Sequence, residues 1–269
     1  MENFENTINI GKIIQEKTGK KLPRFIVRWI EHFIHQDFIN TFLKQGYSGI
    51  EFFTKSTEYM GHKLTVSGLD NINLPSNAKV TFAANHPLGG ADGLAIMGII
   101  GTARKYHPIK LLVNDFLMYF KAIAPMCVPI NKIGNQSKSL PTMVNELFAS
   151  DYDIVIFPAG KCSRLYNNTV QDPEWKKTVI TKSVENNRWI VPIHFIGENS
   201  HFFYLTDKLF RLLRIKFNIG MLLLPNEFYH SQGKHYKIIF GKPIPPSQFD
   251  NSHTPYEWAQ ILKNEVYKL

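Results

Sequence analysis

From residue 62 onward, short apolar runs alternate with stretches at helical spacing, and this alternation constrains the fold more than any other feature. Such runs are typical of buried strands. They cover residues 62–67, 79–84, 109–113, 126–130, 153–157, 190–195 and 235–240. The helical stretches between them cover residues 93–105, 139–149, 173–187 and 200–213. The alternation predicts an α/β fold with a largely parallel or mixed central sheet, flanked by helices on both faces.

The first 60 residues lack this alternation. Residues 22–45 predict two short helices, because apolar side chains recur there at helical spacing. Lysines and arginines surround this apolar stripe, as they do in segments that lie on a membrane surface. We therefore expect an N-terminal helical segment over residues 1–60 that forms a lid or faces a membrane. The remaining residues, 61–269, are expected to form one α/β domain.

Four places carry signals for the start of a helix. A short polar side chain before a helix caps its first turn, and a glutamate three residues later completes a capping box. The signals are Asp37, Ser48 with Glu51, Asp172 before Pro173, and Thr254 with Glu257. Each predicts a helix that begins directly after the capping residue.

The balance of charge limits the class of partner. The 269 residues include 31 Lys and Arg against 22 Asp and Glu, which gives a formal net charge of +9. This charge favours an acidic partner: an anionic lipid surface, an acidic carrier protein or a nucleic acid. Nucleic acid is the weakest interpretation, because the sequence has no helix-turn-helix, zinc-finger or RNP-type motif and its basic residues are scattered. We therefore expect no nucleic acid partner.

Cysteine use and hydropathy bear on metal sites and on cellular location. Cys127 and Cys162 do not fall in a metal-binding spacing, so we expect no metal. Two isolated cysteines favour a reducing, cytosol-facing location. The sequence has no run of about 18 apolar residues and begins with polar and acidic residues, so it predicts neither a membrane span nor a signal peptide. Attachment to a membrane surface stays open.

The run Asn85–Gly93 places a histidine, three glycines and an aspartate between a predicted strand and a predicted helix. Connections of this kind carry the chemistry in open α/β folds. The imidazole of His86 can accept a proton near neutral pH, and Asp92 can fold back to fix its tautomer. Gly89 and Gly90 allow a sharp turn and the close approach of a substrate. The run therefore indicates a site for proton transfer.

A second polar run, Phe157–Arg164, follows another predicted strand. It contains a turn at Gly160, the hydroxyl of Ser163 and the cations of Lys161 and Arg164. These groups together suit an anion such as phosphate or carboxylate. Taken alone, the run is explained equally well as a Pro-Gly turn with surface charges.

Together, the two runs resemble the motifs of the glycerolipid (lysophospholipid) acyltransferase family, of which lysophosphatidic acid acyltransferases are typical. That family carries Asn-His and a following Asp on a strand-to-helix loop, then a Phe-Pro-Glu-Gly-Thr-Arg-Ser block, then a Val-Pro-Ile strand. This chain offers Asn85-His86 with Asp92, then Phe157–Arg164, then Val191–Ile193, in the same order. The resemblance implies an α/β fold and an acyltransferase activity.

The resemblance covers residues 60–200 and extends to the flanks. The segment Gly197–Tyr204 and the N-terminal helices are similar to the hemolysin-type branch of the family. Members of that branch are linked to O-acylation of the lyso forms of amino-acid lipids, such as ornithine or glycine lipids. The resemblance therefore implies a lyso-amino-acid lipid as acceptor.

Three positions depart from the family pattern. Five residues rather than four separate His86 from Asp92, and the additional residue lies among glycines, so the loop can bulge. Ala159 stands where the family has glutamate, which weakens a simple transfer of glycerol-phosphate recognition and favours another headgroup. Lys132 stands where the family has arginine, and lysine cannot make the bidentate contact of arginine.

The resemblance implies direct transfer of an acyl group. His86 would take the proton of an acceptor hydroxyl as that hydroxyl attacks a thioester carbonyl, and Asp92 would stabilise the imidazolium. Backbone N–H groups near Gly89, Gly90 or Gly160 would hold the oxyanion. The implied substrate-binding residues are Asn85, Gly89, Gly90 and Gly160, with Lys161, Ser163, Arg164 and Lys132 on the acidic headgroup.

The resemblance also implies the partners. An acyl carrier protein or coenzyme A thioester would be the donor, so no other cofactor is required, and a lysolipid would be the acceptor. The basic net charge favours the acidic carrier protein. Contact with anionic lipid would make this a peripheral protein on the cytoplasmic face of a bacterial inner membrane.

Three alternatives stay open from the sequence. The acceptor can instead be 1-acylglycerol-3-phosphate. The same scaffold can serve a lipid-binding protein without catalysis. Water can replace the acceptor in a thioesterase, including one that uses Cys162 as a thiol nucleophile. A serine hydrolase is disfavoured, because the sequence has no G-x-S-x-G nucleophile elbow.

Overall fold

The computed structural model describes residues 7–75, 77–105, 107–131, 140–214 and 219–269. Its helices, α1 to α10, are Ile10–Thr18, Arg24–Phe33, Gln36–Leu43, Gly49–Tyr59, Ala91–Ala103, Leu140–Ala149, Thr178–Glu185, His201–Leu212, Ile219–His230 and Pro255–Val266. Its strands, β1 to β9, are Lys63–Ser67, Val80–Ala84, Ile109–Asn114, Cys127–Asn131, Asp153–Ile156, Arg164–Tyr166, Thr169–Gln171, Trp189–Ile196 and His235–Phe240. Each strand that the sequence predicts is present, with bounds that differ by no more than one residue.

Seven strands form one mixed sheet in the order β1-β9-β8-β2-β5-β3-β4. The five neighbours from β8 to β4 run parallel to one another. β9 is antiparallel to β8, and β1 pairs with β9 in parallel. The predicted α/β fold with a largely parallel, mixed sheet is therefore confirmed.

The middle of the sheet positions the site. β2 and β5 are adjacent, and every residue of both strands is buried. Their side chains alternate between two cores: Phe82 and Val155 belong to the core that includes α4 and α5, and Ala83 and Ile154 to the core that includes α7 and α10. Because β2 and β5 are parallel neighbours, the loops that follow them leave the same edge of the sheet side by side.

The helix caps match the sequence in part. Thr254 and Glu257 form the predicted capping box at the start of α10. Ser48 precedes α4 as expected, but its side chain makes no capping hydrogen bond. The prediction for Asp37 is wrong, because α3 begins one residue earlier, at Gln36.

The prediction that Asp172 caps a helix is also wrong. α7 begins only at Thr178, so the residues after Asp172 form a loop. Asp172 is 1 % exposed, and its carboxylate accepts hydrogen bonds from outside this loop. At Asp172, tertiary hydrogen bonds therefore outweigh the local preference for a helix cap.

Three elements are present that the sequence analysis does not predict: α1, α9 and the β6–β7 hairpin. The hairpin turns at Asn167 and Asn168, which both adopt positive φ angles, 46° and 62°. Asparagine is one of the few residues that tolerate this conformation in a two-residue turn, so the Asn-Asn pair is a signal that could have revealed the hairpin.

The N-terminal helices share the core of the sheet. Phe42 of α3 and Phe53 of α4 belong to the same buried cluster as Phe82 of β2. α4 packs closely on α5, where a β-carbon at Gly101 would lie 2.1 Å from the Ile50 side chain. The division of the chain at residue 60 stays a prediction. Within the described residues, no helix combines the length and apolar character needed to span a membrane.

Candidate active site

The two polar runs lie side by side at the edge of the sheet. The loop after β2 carries His86, and the loop after β5 begins with Phe157. The Ser163 N–H donates a hydrogen bond to the His86 carbonyl at 2.8 Å. The imidazole of His86 stacks on the Phe157 ring, with centroids 4.0 Å apart and planes inclined by 24°. Backbone and ring contacts therefore join the loops at the histidine.

His86 and Asp92 form a buried pair with one open side. His86 Nδ1 lies 3.0 Å from Asp92 Oδ2, and the same oxygen accepts the Leu88 N–H at 2.9 Å. The Asp92 side chain is wholly buried, whereas the His86 side chain is 18 % exposed. An ionised carboxylate only accepts hydrogen bonds, so Nδ1 carries the proton and Nε2 is left as a base.

Electrostatics favour the charged form of this pair. Burial lowers the pKa of His86, but the Asp92 charge and hydrogen bond raise it more, so the pKa lies above its usual value. Burial raises the pKa of Asp92, but its contacts with His86 and with the Leu88 and Gly93 N–H groups lower it more, so the pKa lies below its usual value. The site is therefore built to stabilise an imidazolium.

Two glycines shape the loops around the histidine. Gly89 has a φ of +75°, and a β-carbon there would lie 2.6 Å from the Leu224 side chain of α9. Gly160 has a φ of +68°, and a β-carbon there would lie 2.8 Å from Lys176 Nζ. Only glycine fits without strain at such positions. Gly90 precedes α5, and a β-carbon there would meet no neighbouring atom within 4 Å.

Asparagine side chains join the histidine loop to β8 and to the connection between β8 and α8. The Asn85 amide donates to the Phe195 carbonyl at 2.9 Å and accepts the Phe195 N–H at 2.7 Å, so it imitates a strand backbone. Asn85 is 2 % exposed, and its predicted contact with substrate stays a prediction. Asn199, which the sequence analysis does not single out, donates to the Pro87 carbonyl at 3.3 Å.

In the second loop, the polar groups of Ser163 and Arg164 contact the protein itself. Ser163 Oγ donates to Asp172 Oδ1 at 2.6 Å, and Arg164 Nε lies 2.8 Å from Asp207 Oδ1. Ser163 is 1 % and Arg164 5 % exposed. Their predicted contact with an acidic headgroup stays a prediction. The Lys161 side chain is exposed, and Lys132 lies outside the described residues.

Asp172 is a buried carboxylate at the junction of the two loops, and the sequence analysis misses this role. Its Oδ1 accepts the His86 N–H at 3.1 Å in addition to the Ser163 hydroxyl. Its Oδ2 accepts the Trp175 indole N–H at 2.9 Å. Burial raises the pKa of Asp172, and these donors oppose that shift. The sequence carries no local signal for the contact with His86, because His86 lies 86 residues away.

The environment of Cys162 disfavours a thiol nucleophile. The side chain is 4 % exposed, and burial raises the pKa of the thiol to about 11. A reactive cysteine needs the opposite shift, toward the thiolate at neutral pH. Within the described part of the chain, no three His, Cys, Asp or Glu side chains gather in a way that could hold a metal ion.

Comparison with known proteins places the chain among its relatives. A family model described as "Acyltransferase" matches residues 12–269. A lyso-glycine lipid O-acyltransferase of Phocaeicola vulgatus is 47 % identical, over 97 % of this chain and 95 % of that protein. A lyso-glycine lipid O-acyltransferase of Bacteroides thetaiotaomicron is 44 % identical, over 97 % of each.

A solved structure with 13 % sequence identity shares this fold. It is the 1-acyl-sn-glycerophosphate (LPA) acyltransferase PlsC from Thermotoga maritima, with a TM-score of 0.51. The alignment covers 96 % of this chain and 88 % of that one.

Proposed function

This chain belongs to the acyltransferase family, and from that premise we propose that it transfers a fatty acyl group from a thioester to the hydroxyl of a lysolipid, with His86 as general base. The observation that carries this proposal is the His86–Asp92 pair. The buried carboxylate holds the proton on Nδ1, and the ring is exposed enough for Nε2 to meet an acceptor.

The proposed reaction needs no covalent enzyme intermediate. The acceptor hydroxyl oxygen forms a bond to the thioester carbonyl carbon while Nε2 of His86 takes the hydroxyl proton. The Gly89 and Gly160 N–H groups already donate to Asp92 Oδ2 and to the Phe157 carbonyl, so the backbone at Gly90 is the proposed donor that stabilises the oxyanion. The C–S bond then breaks, and the imidazolium returns its proton to the departing thiolate. The products are an ester and a free thiol.

A lyso-glycine lipid is the proposed acceptor. Two relatives, at 47 % and 44 % identity, are named lyso-glycine lipid O-acyltransferases. A 1-acylglycerol-3-phosphate acceptor has weaker support, since the PlsC structure is only 13 % identical and its likeness concerns the fold alone. For the donor, the net charge of +9 favours an acyl carrier protein over coenzyme A, because carrier proteins are acidic.

Two helices supply the proposed contact with a membrane. On α8, three exposed leucines lie at spacings of four and three residues, which places them on one face: Leu205, Leu209 and Leu212. On α2, Phe25 is 74 % and Trp29 58 % exposed. Large apolar side chains at the surface mark interaction sites.

The two helices are neighbours in space and carry basic residues. Phe33 of α2 packs against the cluster that contains Phe203 of α8. Exposed cations accompany both apolar faces, among them Arg28 on α2 and Lys208 on α8. We therefore propose peripheral binding to anionic lipid at the cytoplasmic face of the inner membrane.

An assay with a labelled acyl thioester tests the function. The purified protein is incubated with acyl carrier protein or coenzyme A thioesters, with and without lyso-glycine lipid, and the products are identified by mass spectrometry. We expect a diacylated lipid that forms only when the acceptor is present. Fatty acid released at the same rate without acceptor would indicate a hydrolase, and the absence of any turnover would indicate a lipid-binding protein.

A further inference from the structure

Two lysines that border the site have no acidic partner in the part of the chain that the structure describes, and we infer that Lys176, together with Lys161, binds the anionic headgroup of the acceptor. This inference rests on the proposed function, because it concerns the lysolipid whose hydroxyl His86 would deprotonate. It adds a residue, Lys176, that lies outside both polar runs of the sequence.

Contacts place Lys176 at the loop that borders the histidine. A β-carbon built on Gly160 would lie 2.8 Å from Lys176 Nζ and 3.3 Å from its Cε, so the ammonium lies against this glycine. The Lys176 backbone N–H donates to the Pro158 carbonyl at 3.1 Å. Phe157, at the start of the same loop, carries the ring on which His86 stacks.

The segment that carries Lys176 is fixed relative to His86. The preceding residue, Trp175, is fully buried, and its indole donates to Asp172 at 2.9 Å. The same carboxylate accepts the His86 N–H at 3.1 Å. Gln260 of α10 donates to the Trp175 carbonyl at 2.7 Å. The position of the Lys176 backbone is therefore set by hydrogen bonds that include the histidine loop.

The other cation of the second loop is already neutralised. Arg164 is paired with Asp207 and is buried. By contrast, Lys161 and Lys176 are exposed and form no ion pair with any residue of the described ranges. Glu174, two residues from Lys176, interacts with Tyr256 instead. Two unpaired ammonium groups beside one loop attract an anion.

The chemistry of these groups defines the ligand class. An ammonium is a compact point charge without the planar fork that selects a bidentate partner, so it accepts a carboxylate or a phosphate. The free carboxylate of an amino-acid lipid and the phosphate of a lysophospholipid share this anionic character. The inference therefore concerns an anionic headgroup, and the experiment distinguishes the two sources.

The experiment compares three acceptors: lyso-glycine lipid, its methyl ester and lysophosphatidic acid. The ester keeps the hydroxyl but lacks the charge. For the unmodified protein we expect kcat/KM to be about tenfold higher with the acid than with the ester. A tenfold difference is the size of effect expected from one charge-assisted hydrogen bond. In Lys176→Met this ratio is expected to fall to about threefold, because only acylation of the acid becomes slower while Lys161 still contributes its charge. Lys176→Arg is expected to keep most of the ratio.

Lys177→Met is the matched control, because Lys177 is the next residue, is exposed and contributes the same charge. It is expected to keep the ratio of the unmodified protein. A Lys176→Met variant that keeps the acid-to-ester ratio overturns the inference, as does one that loses acid and ester equally. A preference for lysophosphatidic acid that Lys176→Met abolishes identifies phosphate as the anion. A protein that acylates none of the three overturns the proposed function itself.

Discussion

The loops that follow β2 and β5 leave neighbouring strands in the same direction, yet they use their polar side chains differently. In the first loop, the His86 ring reaches the surface above the buried Asp92. In the second loop, Ser163 and Arg164 are turned inward and their polar groups contact Asp172 and Asp207. The His86 ring of the first run can therefore serve chemistry, whereas Ser163 and Arg164 of the second run hold the site together.

The difference follows from where each buried carboxylate finds its donors. Asp92 contacts the imidazole ring, so its charge acts on the group that can exchange a proton. Asp172 contacts the backbone of His86 and the hydroxyl of Ser163, so its charge joins the two loops. A buried carboxylate needs such partners in either case, because an unpaired buried charge is costly. The variants below separate the two kinds of role.

The largest expected effect comes from the exposed ring. His86→Ala removes the proposed base, and we expect acyl transfer to fall about 1,000-fold, the usual contribution of general base catalysis. Asp92 loses its imidazole partner but keeps the Leu88, Gly89 and Gly93 N–H donors, so the thermal unfolding midpoint should fall by only a few degrees. The measurement is initial rate together with a calorimetric melt. His253→Ala, at an exposed site, is the control, and transfer within tenfold of the unmodified rate would contradict the role.

Asp92→Asn tests the partner of the ring. We expect transfer to fall about 100-fold, because an amide does not stabilise the imidazolium and can reverse the direction of the hydrogen bond. Loss of the negative charge also lowers the pKa of His86, whose present value is raised by Asp92. Asp70→Asn, at an exposed aspartate, is the matched control. Unchanged kinetics in Asp92→Asn would show that Asp92 acts only on the loop backbone.

Asp172→Asn tests whether the junction of the loops also tunes the base. We expect kcat/KM at its plateau to fall about tenfold through misplacement of the loops. The base must be neutral, so activity is lost as the pH falls through the pKa of His86. Because the Asp172 charge raises that pKa, its removal should move the acid limb of the pH profile to lower pH. An acid limb that stays in place in this variant would limit Asp172 to a structural role.

The smallest kinetic effect is expected in the second loop. Ser163→Ala removes one donor from the buried Asp172 carboxylate, and the free energy of unfolding should fall by about 1–2 kcal/mol. We expect kcat/KM to stay within about threefold, because the hydroxyl faces Asp172. Urea unfolding and acceptor titration measure the two quantities, with Ser247→Ala at an exposed position as control. A large rise in the acceptor KM at unchanged stability would instead place Ser163 on the headgroup.

The sequence predicts the sheet well for a physical reason. Strands such as β2 and β5 are buried on both faces, so burial alone imposes apolar runs that can be recognised without knowing the neighbours. The His86–Asp92 pair can likewise be predicted from the sequence, since the two residues are six apart on one short loop. The start of α7 is predicted wrongly because Asp172 has a strong local capping signal, whereas its partner on the other loop, His86, lies 86 residues away.

By itself, then, the sequence determined the layers of the fold, the order of the motifs and a histidine with an aspartate close by, because these depend on local spacing. Only the tertiary structure decided which polar groups face outward. The contacts of Ser163 with Asp172, of Arg164 with Asp207 and of Lys176 with Gly160 join segments that local patterns do not relate. A side chain is free to bind substrate only if no distant residue already pairs with it. Such pairs form only when folding brings the loops of adjacent strands together.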